Sequence, residues 1–522
     1  MLQVEAAPPL RGLAFMGVAG ETPAYKLMEP VGGGCLCASE AVIGSGGYLP
    51  HTGHVRVLTI LAAFEDVGFT VNDPVQAFDQ YLNADKQVDM GNRNELNVAS
   101  VRQYFETCSH GQFSPRFDVV GPVTLPQTMD YYGGVKNDGS DDKFGEFCQD
   151  ALELAKDMVS DWSVYDNDND SRVELVCVIF AGYGQNQGGE NSTLWAKAST
   201  QNLLADDTHR ITRFNCSPEL FNPDERYSNY INGTGVFIHE LSHCMGLPDL
   251  YATQKKAYVN NQGMETWSIM DYGLYNRNGF APCPYTAWEQ EVMGWTEIED
   301  VGSKMADGRC QLSDVLPLIE GGKAYKLQNP ENDRNYIVLE NVQKRGLNQY
   351  ASGHGLLVFQ VDYPYSSVQM GDTPNNNPGH PSVAVVPAGG ELINAYLRGK
   401  DKTYTVAQWQ ESLAASVFPG TKGVTSLTDN MQLPNYCFYV DKTAQPTNFM
   451  LSSISEDTET GAVSFLVAKD DQTSIGDVRW KMEDGRSDVW YDLSGRAFNT
   501  QHSSFNIQKG IYIVNGRKVV IK

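Results

Sequence analysis

GTGVFIHELSHCMGLPDLY, residues 233–251, is the stretch on which the reading of this chain turns. HELSH puts His239 and His243 at i and i+4. On a helix, side chains at that spacing lie one turn apart on one face. Two imidazoles so placed can reach a single ion at about 2.0–2.1 Å. Glu240 follows the first histidine and points beside such an ion rather than at it, where a carboxylate can take a proton from water. Gly246 lets the chain turn sharply after the helix, and Pro248 forbids its continuation. Asp249 is then the first residue well placed to return to the ion. Three protein ligands and one open position are what a catalytic zinc needs.

The spacing approaches the metzincin pattern H-E-x-x-H-x-x-G-x-x-H but has Asp249 at the last position, so the motif alone leaves the third ligand open. A carboxylate is a competent zinc ligand. Downstream, WSIMDYG (267–273) offers a methionine-containing turn. Met270 is expected beneath the histidines, with Tyr272 in reach of the ion or of a developing oxyanion. The bland alternative is an exposed helix with two hydrogen-bonded histidines. It accounts for neither the following glycine and PDLY nor the distant SIMDY.

Upstream of the motif, strand-like and helical runs alternate. HVRVLTILAAF (54–64) is a strand, DPVQAFDQYLN (73–83) and VASVRQYFETC (98–108) have helical spacing, and FDVVGPVTL (117–125) is a strand. KFGEFCQDALELAKDMVSDW (143–162) reads as one long amphipathic helix, and VELVCVIFAGYG (173–184) as a buried strand ended by glycines. After residue 300 short strands dominate (AYKLQN, YIVLENVQ, GLLVFQVDY, PSVAVVP, GAVSFLVA), which predicts an all-β region to about residue 470. Beyond a DDQTS linker, NG at 515–516 between two alternating runs signals a hairpin.

Composition sets the limits. The 522 residues allow roughly three or four domains at about 100–200 residues each. A charged fraction of 20% is too low for a disordered chain. The formal net charge of −25 repels nucleic acid and anionic lipid and favours divalent cations. No apolar run is long enough for a transmembrane helix. MLQVEAAPPLRG carries no signal-peptide pattern, which alone suggests a cytosolic chain; the metal motif instead favours a secreted or cell-surface protein whose signal has been removed. The ten cysteines are too thinly spread for a disulfide scaffold, and their pairing is not readable. Cys35 and Cys37 read as loop thiols, a loop disulfide, or a thiolate cap on the metal.

A second candidate metal site is the alternation Asp166, Asp168 and Asp170 in DNDND, with Glu174 as a fourth carboxylate. Oxygen ligands at alternate positions suit calcium, although the loop lacks the sixth-position glycine and twelfth-position glutamate of an EF-hand. An Asp/Asn-rich turn before a strand is the alternative.

HELSHCMGLPDLY, WSIMDYG and TAWEQEVMGW (286–295) resemble the immune inhibitor A family of secreted bacterial metallopeptidases. VRQYFETCSHGQFSPRFDVVGPVTLP, YDNDNDSRVELVCVIFAGYG and SGHGLLVFQVDY extend the likeness over about residues 55 to 470. The resemblance implies zinc ligation by His239, His243 and Asp249, and a base role for Glu240. YDLSGRAF and KGIYIVNGRKVVIK resemble the C-terminal sorting domains of type IX secretion, which implies export across an outer membrane.

The expected fold class is α+β: a metzincin-like zinc protease domain with a mixed sheet and an active-site helix, a β-sandwich-like domain, and a small all-β module. The expected divisions are a leader or pro-segment remnant at 1–53, a catalytic domain at 54–300, a β-rich domain at 301–470 and a sorting-like module at 471–522. The expected function is zinc-dependent endopeptidase action on protein or peptide substrates. The rival is a catalytically silent surface adhesin or glycan-binding protein on the same scaffold. Calcium is the second expected ion, and a secretion machinery the expected partner of the C-terminal module.

Overall fold

The computed structural model describes residues 3–5, residues 47–470 apart from 135–140, 142, 228, 259–260, 262, 364–367, 392 and 396–403, and four strands between 489 and 521. Cys35 and Cys37 lie outside the described residues.

A run that is apolar at odd and even positions alike needs cover on both faces. HVRVLTILAA meets that need as β2 (Gly53–Ala63), an interior strand flanked by β5 and β3 in a mostly parallel sheet. The order across this sheet is β1 (Gln3–Glu5), β6 (Lys197–Leu204), β7 (Arg210–Leu220), β5 (Val176–Tyr183), β2 and β3 (Phe113–Thr124), with the short β4 (Arg172–Val173) against β7. β2 runs parallel to β3 and β5, and β5 parallel to β7. β6 is antiparallel to β7, and β1 antiparallel to β6.

The two faces of β2 enter different cores. Val55, Val57 and Leu61 pack with Phe78, Tyr81, Tyr104, Phe105, Phe237 and Leu241. These come from helices Pro74–Asn83, Val101–Cys108 and Thr234–Cys244. Leu58, Ile60 and Ala62 pack with Phe144, Phe147, Cys148 and Ala151 of helix Phe144–Ala155 on the other side. Asp73 caps the first helix through Gln76 N–H, with a proline in its first turn, and Ser100 and Gln103 form a reciprocal capping box on the second.

The expected single helix over 143–162 is interrupted. It ends at Ala155, tightens through Lys156–Met158, and becomes extended at Val159. Asp161 then caps a separate turn, Trp162–Tyr165, whose two aromatic rings reach the same core from there.

Beyond residue 298 the strands are β8 (Glu299–Asp300), β9 (Arg309–Val315), β10 (Tyr325–Asn329), β11 (Asn332–Val342), β12 (Gly355–Asp362), β13 (Val383–Val385), β14 (Leu427–Thr428), β15 (Phe438–Val440), β16 (Thr443–Gln445), β17 (Phe449–Glu456) and β18 (Val463–Lys469). They form a five-stranded sheet ordered β13-β12-β11-β10-β8, a four-stranded sheet ordered β14-β17-β18-β9, and a β15–β16 hairpin. Leu327, Ile337, Leu339 and Val358 of the first sheet share a core with Leu312, Leu451, Phe465 and Val467 of the second. The opposite face of the five-stranded sheet, with Val338, Phe359, Val361 and Val385, joins the core that holds Trp267, Met270 and the 234–244 helix.

The expectation of an all-β region here is corrected by helix Val406–Ala414. Thr405 and Gln408 cap it reciprocally, a signal the strand count overlooked, and Trp409 and Leu413 are buried in the same core as Trp267. The chain divides into two compact units, residues 1–470 and 471–522. The second unit pairs β19 (Val489–Asp492), β20 (Ala497–Asn499), β21 (Gly510–Val514) and β22 (Arg517–Ile521) in the order β20-β19-β21-β22, all antiparallel. Val514 stands opposite Arg517, and Asn515-Gly516 between them lies outside the described residues. The eight described cysteines are all free thiols. No described helix is long and apolar enough to cross a membrane.

One carboxyl joins the sheet to the helix that follows the metal turn. Glu340 on β11 accepts a hydrogen bond from Ala287 N–H at 2.9 Å, at the start of helix Ala287–Val292. Burial pushes its pKa up to about 8, with the neighbouring Glu289 adding to the shift. The native state therefore keeps a proton that the unfolded chain releases at its ordinary value of 4.5, and stability falls as pH rises from there toward about 8. Glu340→Gln keeps the acceptor and removes the titration. Its urea midpoint is expected to match the parent at pH 5 and exceed it at pH 8; equal midpoints at both pH values would refute this.

Candidate metal centre

Helix Thr234–Cys244 is fixed at both ends before any ion is considered. Thr234 N–H donates to Asn97 Oδ1 at 3.0 Å, and Asn215 of β7 donates to Phe237 O at 3.1 Å. A Cβ on Gly235 would stand 1.9 Å from Leu274 O, so the first turn presses on the 272–279 segment as only glycine permits. At the other end Gly246 has φ 108, a left-handed value that stops the helix, and Leu247 N–H folds back to Ser242 O at 3.1 Å.

The sharp turn at Gly246 brings Asp249 back to the histidines. His239 Nε2 and His243 Nε2 are 3.2 Å apart, and Asp249 Oδ1 lies 3.4 Å from the first and 3.3 Å from the second. All three residues are buried. His239 Nδ1 is 2.8 Å from Ile269 O, and His243 Nδ1 is 2.7 Å from Leu247 O. A carbonyl oxygen can only accept, so each Nδ1 is the donor and each neutral ring turns a bare Nε2 lone pair inward. Asp249 Oδ1 has no hydrogen-bond donor either. Three buried acceptors facing one another with no proton between them make a cluster that a cation satisfies. The separations also fit. A tetrahedral ion at about 2.0–2.1 Å from each ligand needs ligands about 3.3 Å apart and keeps its fourth corner open.

The surrounding groups tune and brace this triangle. The Tyr251 phenol hydrogen-bonds Asp249; burial and the Asp249 and Glu240 charges raise its own pKa well above normal. Leu250 N–H donates to Met270 O at 2.8 Å, and Asn375 of the β-rich region donates to Leu250 O. Met270 N–H donates to Ser268 Oγ at 2.9 Å, and Ser268 in turn donates to Glu289. The methionine turn thus meets the site through the Ile269 and Met270 carbonyls, with the Met270 side chain fully buried in the main core. Glu240 is fully buried, and its Oε2 accepts from Ala198 N–H of β6 at 2.7 Å.

Tyr272 is buried, with its ring centroid 6.3 Å from that of Tyr275. Tyr275 hydrogen-bonds Asn186, and the charges of Glu240 and Asp249 add to the burial that raises its pKa. Sequence reasoning passed over the Ala198 amide, Tyr251, Tyr275 and Asn375. Tyr251 stands inside the motif and was readable as a neighbour of Asp249; the other three come from distant segments with no local pattern. The second predicted group also assembles: Asp166, Asp168, Asp170 and Glu174 each bring a carboxylate oxygen within 4.8 Å of the others.

Residues 56–296 match the family described as immune inhibitor A peptidase M6, catalytic domain. The chain is 25% identical over 236 residues, 39% of its length, to Immune inhibitor A of Bacillus thuringiensis subsp. alesti, of which the match covers 34%. It is 26% identical over 225 residues, 38% of its length, to pre-pro-metalloprotease PrtV of Vibrio cholerae serotype O1, of which the match covers 24%. The chain thus spans about a third of one of these relatives and a quarter of the other. His239, Glu240, His243, Asp249 and Met270 all fall within the peptidase-like segment.

Asn375 also bonds Val383 O, Ser382 N–H and Val383 N–H, so one buried side chain ties the metal loop to β13. Asn375→Ala is expected to weaken metal retention by about 10–100-fold. Competition with a chromogenic chelator reads this directly, and an unchanged affinity would show that the loop holds its shape without the second sheet.

Proposed function

We propose that this chain is a zinc-dependent endopeptidase, secreted or held at the cell surface, with His239, His243 and Asp249 as metal ligands and Glu240 as general base. The observation that carries the reading is the triangle of inward lone pairs, 3.2 to 3.4 Å on each side, in a segment similar to a peptidase catalytic domain. Two imidazoles and one carboxylate form a borderline-soft donor set that suits zinc better than calcium or magnesium. Zinc held there supplies Lewis acidity, lowering the pKa of water toward about 7 and polarising a peptide carbonyl.

The protein's own groups do the rest. The Ile269 and Leu247 carbonyls fix both imidazole tautomers, which aims each Nε2 at the ion. The Ala198 amide orients the Glu240 carboxylate through Oε2. Glu240 takes the proton of the attacking water and passes it to the departing amide nitrogen. A phenol serves as donor to the oxyanion. Sequence favours Tyr272 for that role, while the charge contact with Glu240 favours Tyr275. For the C-terminal unit, the all-antiparallel sheet of residues 489–521 and the YDLSGRAF likeness support a sorting role read by a secretion machinery. The shared core of the two sheets after residue 300 supports a β-sandwich there.

Glu240→Gln is expected to retain zinc by elemental analysis and to lose at least about 100-fold in casein-cleavage rate. Cleavage at the parent rate would remove Glu240 from the mechanism, and a parent that holds zinc yet cuts no peptide would end the peptidase reading. Tyr272→Phe and Tyr275→Phe separate the two phenols. The oxyanion donor should lose about 10–100-fold in kcat with little change in KM, and the other should stay near the parent.

A further inference from the structure

The loop from Asp166 to Glu174 holds four carboxylates for which the peptidase reading has no use. Each presents an oxygen within 4.8 Å of the other three. Oxygens at about 2.4 Å from a common centre can be no farther apart than that. Glu174 carries the argument. It is 1% exposed, its Oε2 is occupied by Asn167 Nδ2 at 2.9 Å, and its Oε1 is buried with no hydrogen-bond partner. A buried carboxylate oxygen left that way costs its desolvation unless positive charge faces it.

The loop is shaped to supply such a place. Asp166 Oδ1 and Oδ2 accept from Asp170 N–H at 3.0 Å and Ser171 N–H at 2.9 Å, which closes the turn. Asn169 and Ser171 adopt φ 61 and 69. Counted from Asp166, Ser171 takes the sixth position, where calcium loops place glycine to make the same sharp turn. The backbone thus achieves with serine what the sequence lacked in glycine. Arg172 offers a counter-charge only from the rim: its Nε is 3.6 Å from Asp170 Oδ2 and its side chain is largely exposed, which leaves four carboxylates facing one cation.

We infer that Asp166, Asp168, Asp170 and Glu174 form a calcium site distinct from the His239–His243–Asp249 centre. An all-oxygen donor set selects a hard cation, and four carboxylates on an irregular loop suit calcium's flexible shell over magnesium, which demands near-ideal octahedral geometry and usually takes only one or two carboxylates. The bound ion has a structural task. Asn167, in the same loop, accepts from Arg56 N–H of β2 at 3.0 Å, and Glu174 O accepts from Thr212 Oγ1 of β7 at 3.2 Å. Calcium there staples the loop to two strands of the central sheet and acts on its stability rather than on the chemistry.

The test uses the full chain carrying Glu240→Gln, which suppresses self-cleavage, after passage over a chelating resin. CaCl2 alone is titrated by calorimetry, and thermal unfolding is followed with and without millimolar CaCl2. One calcium per chain and a Tm rise of several degrees are expected, with MgCl2 giving a much smaller rise. Asp168→Asn, at an exposed position that folding tolerates, should weaken binding about tenfold or more, and Glu174→Gln should remove it. His243→Ala should leave the calcium response intact. Absence of calcium binding in the parent, or an undiminished response in Asp168→Asn, overturns the assignment. Neither readout involves peptide cleavage, so this result and the peptidase reading stand or fall separately.

Discussion

The pair of hydrogen bonds from His239 Nδ1 to Ile269 O and from His243 Nδ1 to Leu247 O is the constraint on which the site depends. Without them either ring could turn its protonated nitrogen inward, and a buried proton would then compete with any cation for the centre. With them, the neutral tautomer of each ring has its acceptor nitrogen facing inward. The acceptor carbonyls come from the segments on either side of the centre, the turn after the helix and the WSIMDYG turn. The helix supplies the spacing of the histidines, but those two turns supply their electronic state. Such an arrangement tolerates little movement, because a carbonyl displaced by an ångström ceases to hold its ring.

That demand explains why the metal turn is anchored so far from itself. The Leu250 backbone is held on one side by Met270 and on the other by Asn375. Glu265, at φ 51, reaches the opposite way, accepting from Ala395 N–H and from Trp409 Nε1. Glu340 binds the first turn of the helix that follows. Apart from the Met270 contact, each link crosses from the residues around the histidines to those after 300. The five-stranded sheet accordingly gives one face to the core beneath the metal turn and the other to its partner sheet. A catalytic region cut away near residue 300 would expose one whole face of that core. Residues up to 470 forming one compact unit follow from this shared packing.

What sequence could reveal was set by how local the determining forces are. HELSH at i and i+4 and the glycine stop are consequences of helix geometry and of one turn, and they were legible from the motif, which offered Asp249 as a third ligand without settling it. The doubly covered strand HVRVLTILAAF was legible because no other environment accepts such a run. Two elements were misjudged for opposite reasons. Over 143–162 the apolar rhythm continues through a break in the backbone, since Trp162 and Tyr165 serve the same core from a separate turn. Over 406–414 the reciprocal Thr405–Gln408 cap announced a helix, but nine residues among many short strands were read by their neighbourhood. The Ala198 amide, Tyr275 and Asn375 had no legible signal, because their part in the site is created by tertiary contact across tens to more than a hundred residues.

The two candidate metal groups differ in the ions they would suit. Net charge does not discriminate, since −25 attracts every cation alike. Discrimination comes from the donor set and from enclosure. In the first group two nitrogens and one oxygen stand 3.2 to 3.4 Å apart on buried residues, a donor set that favours zinc over the oxygen-seeking calcium ion. In the second, four carboxylate oxygens come within 4.8 Å of one another on a loop whose Asp168 and Asp170 face solvent. Zinc gains little from such a hard and open shell, whereas calcium accepts irregular oxygen geometry and retained water. The loop sits on the sheet that carries β7, and β7 carries Asn215, which holds the histidine helix at Phe237. One strand, β7, thus touches both groups, through Thr212 at the acidic loop and Asn215 at the histidine helix.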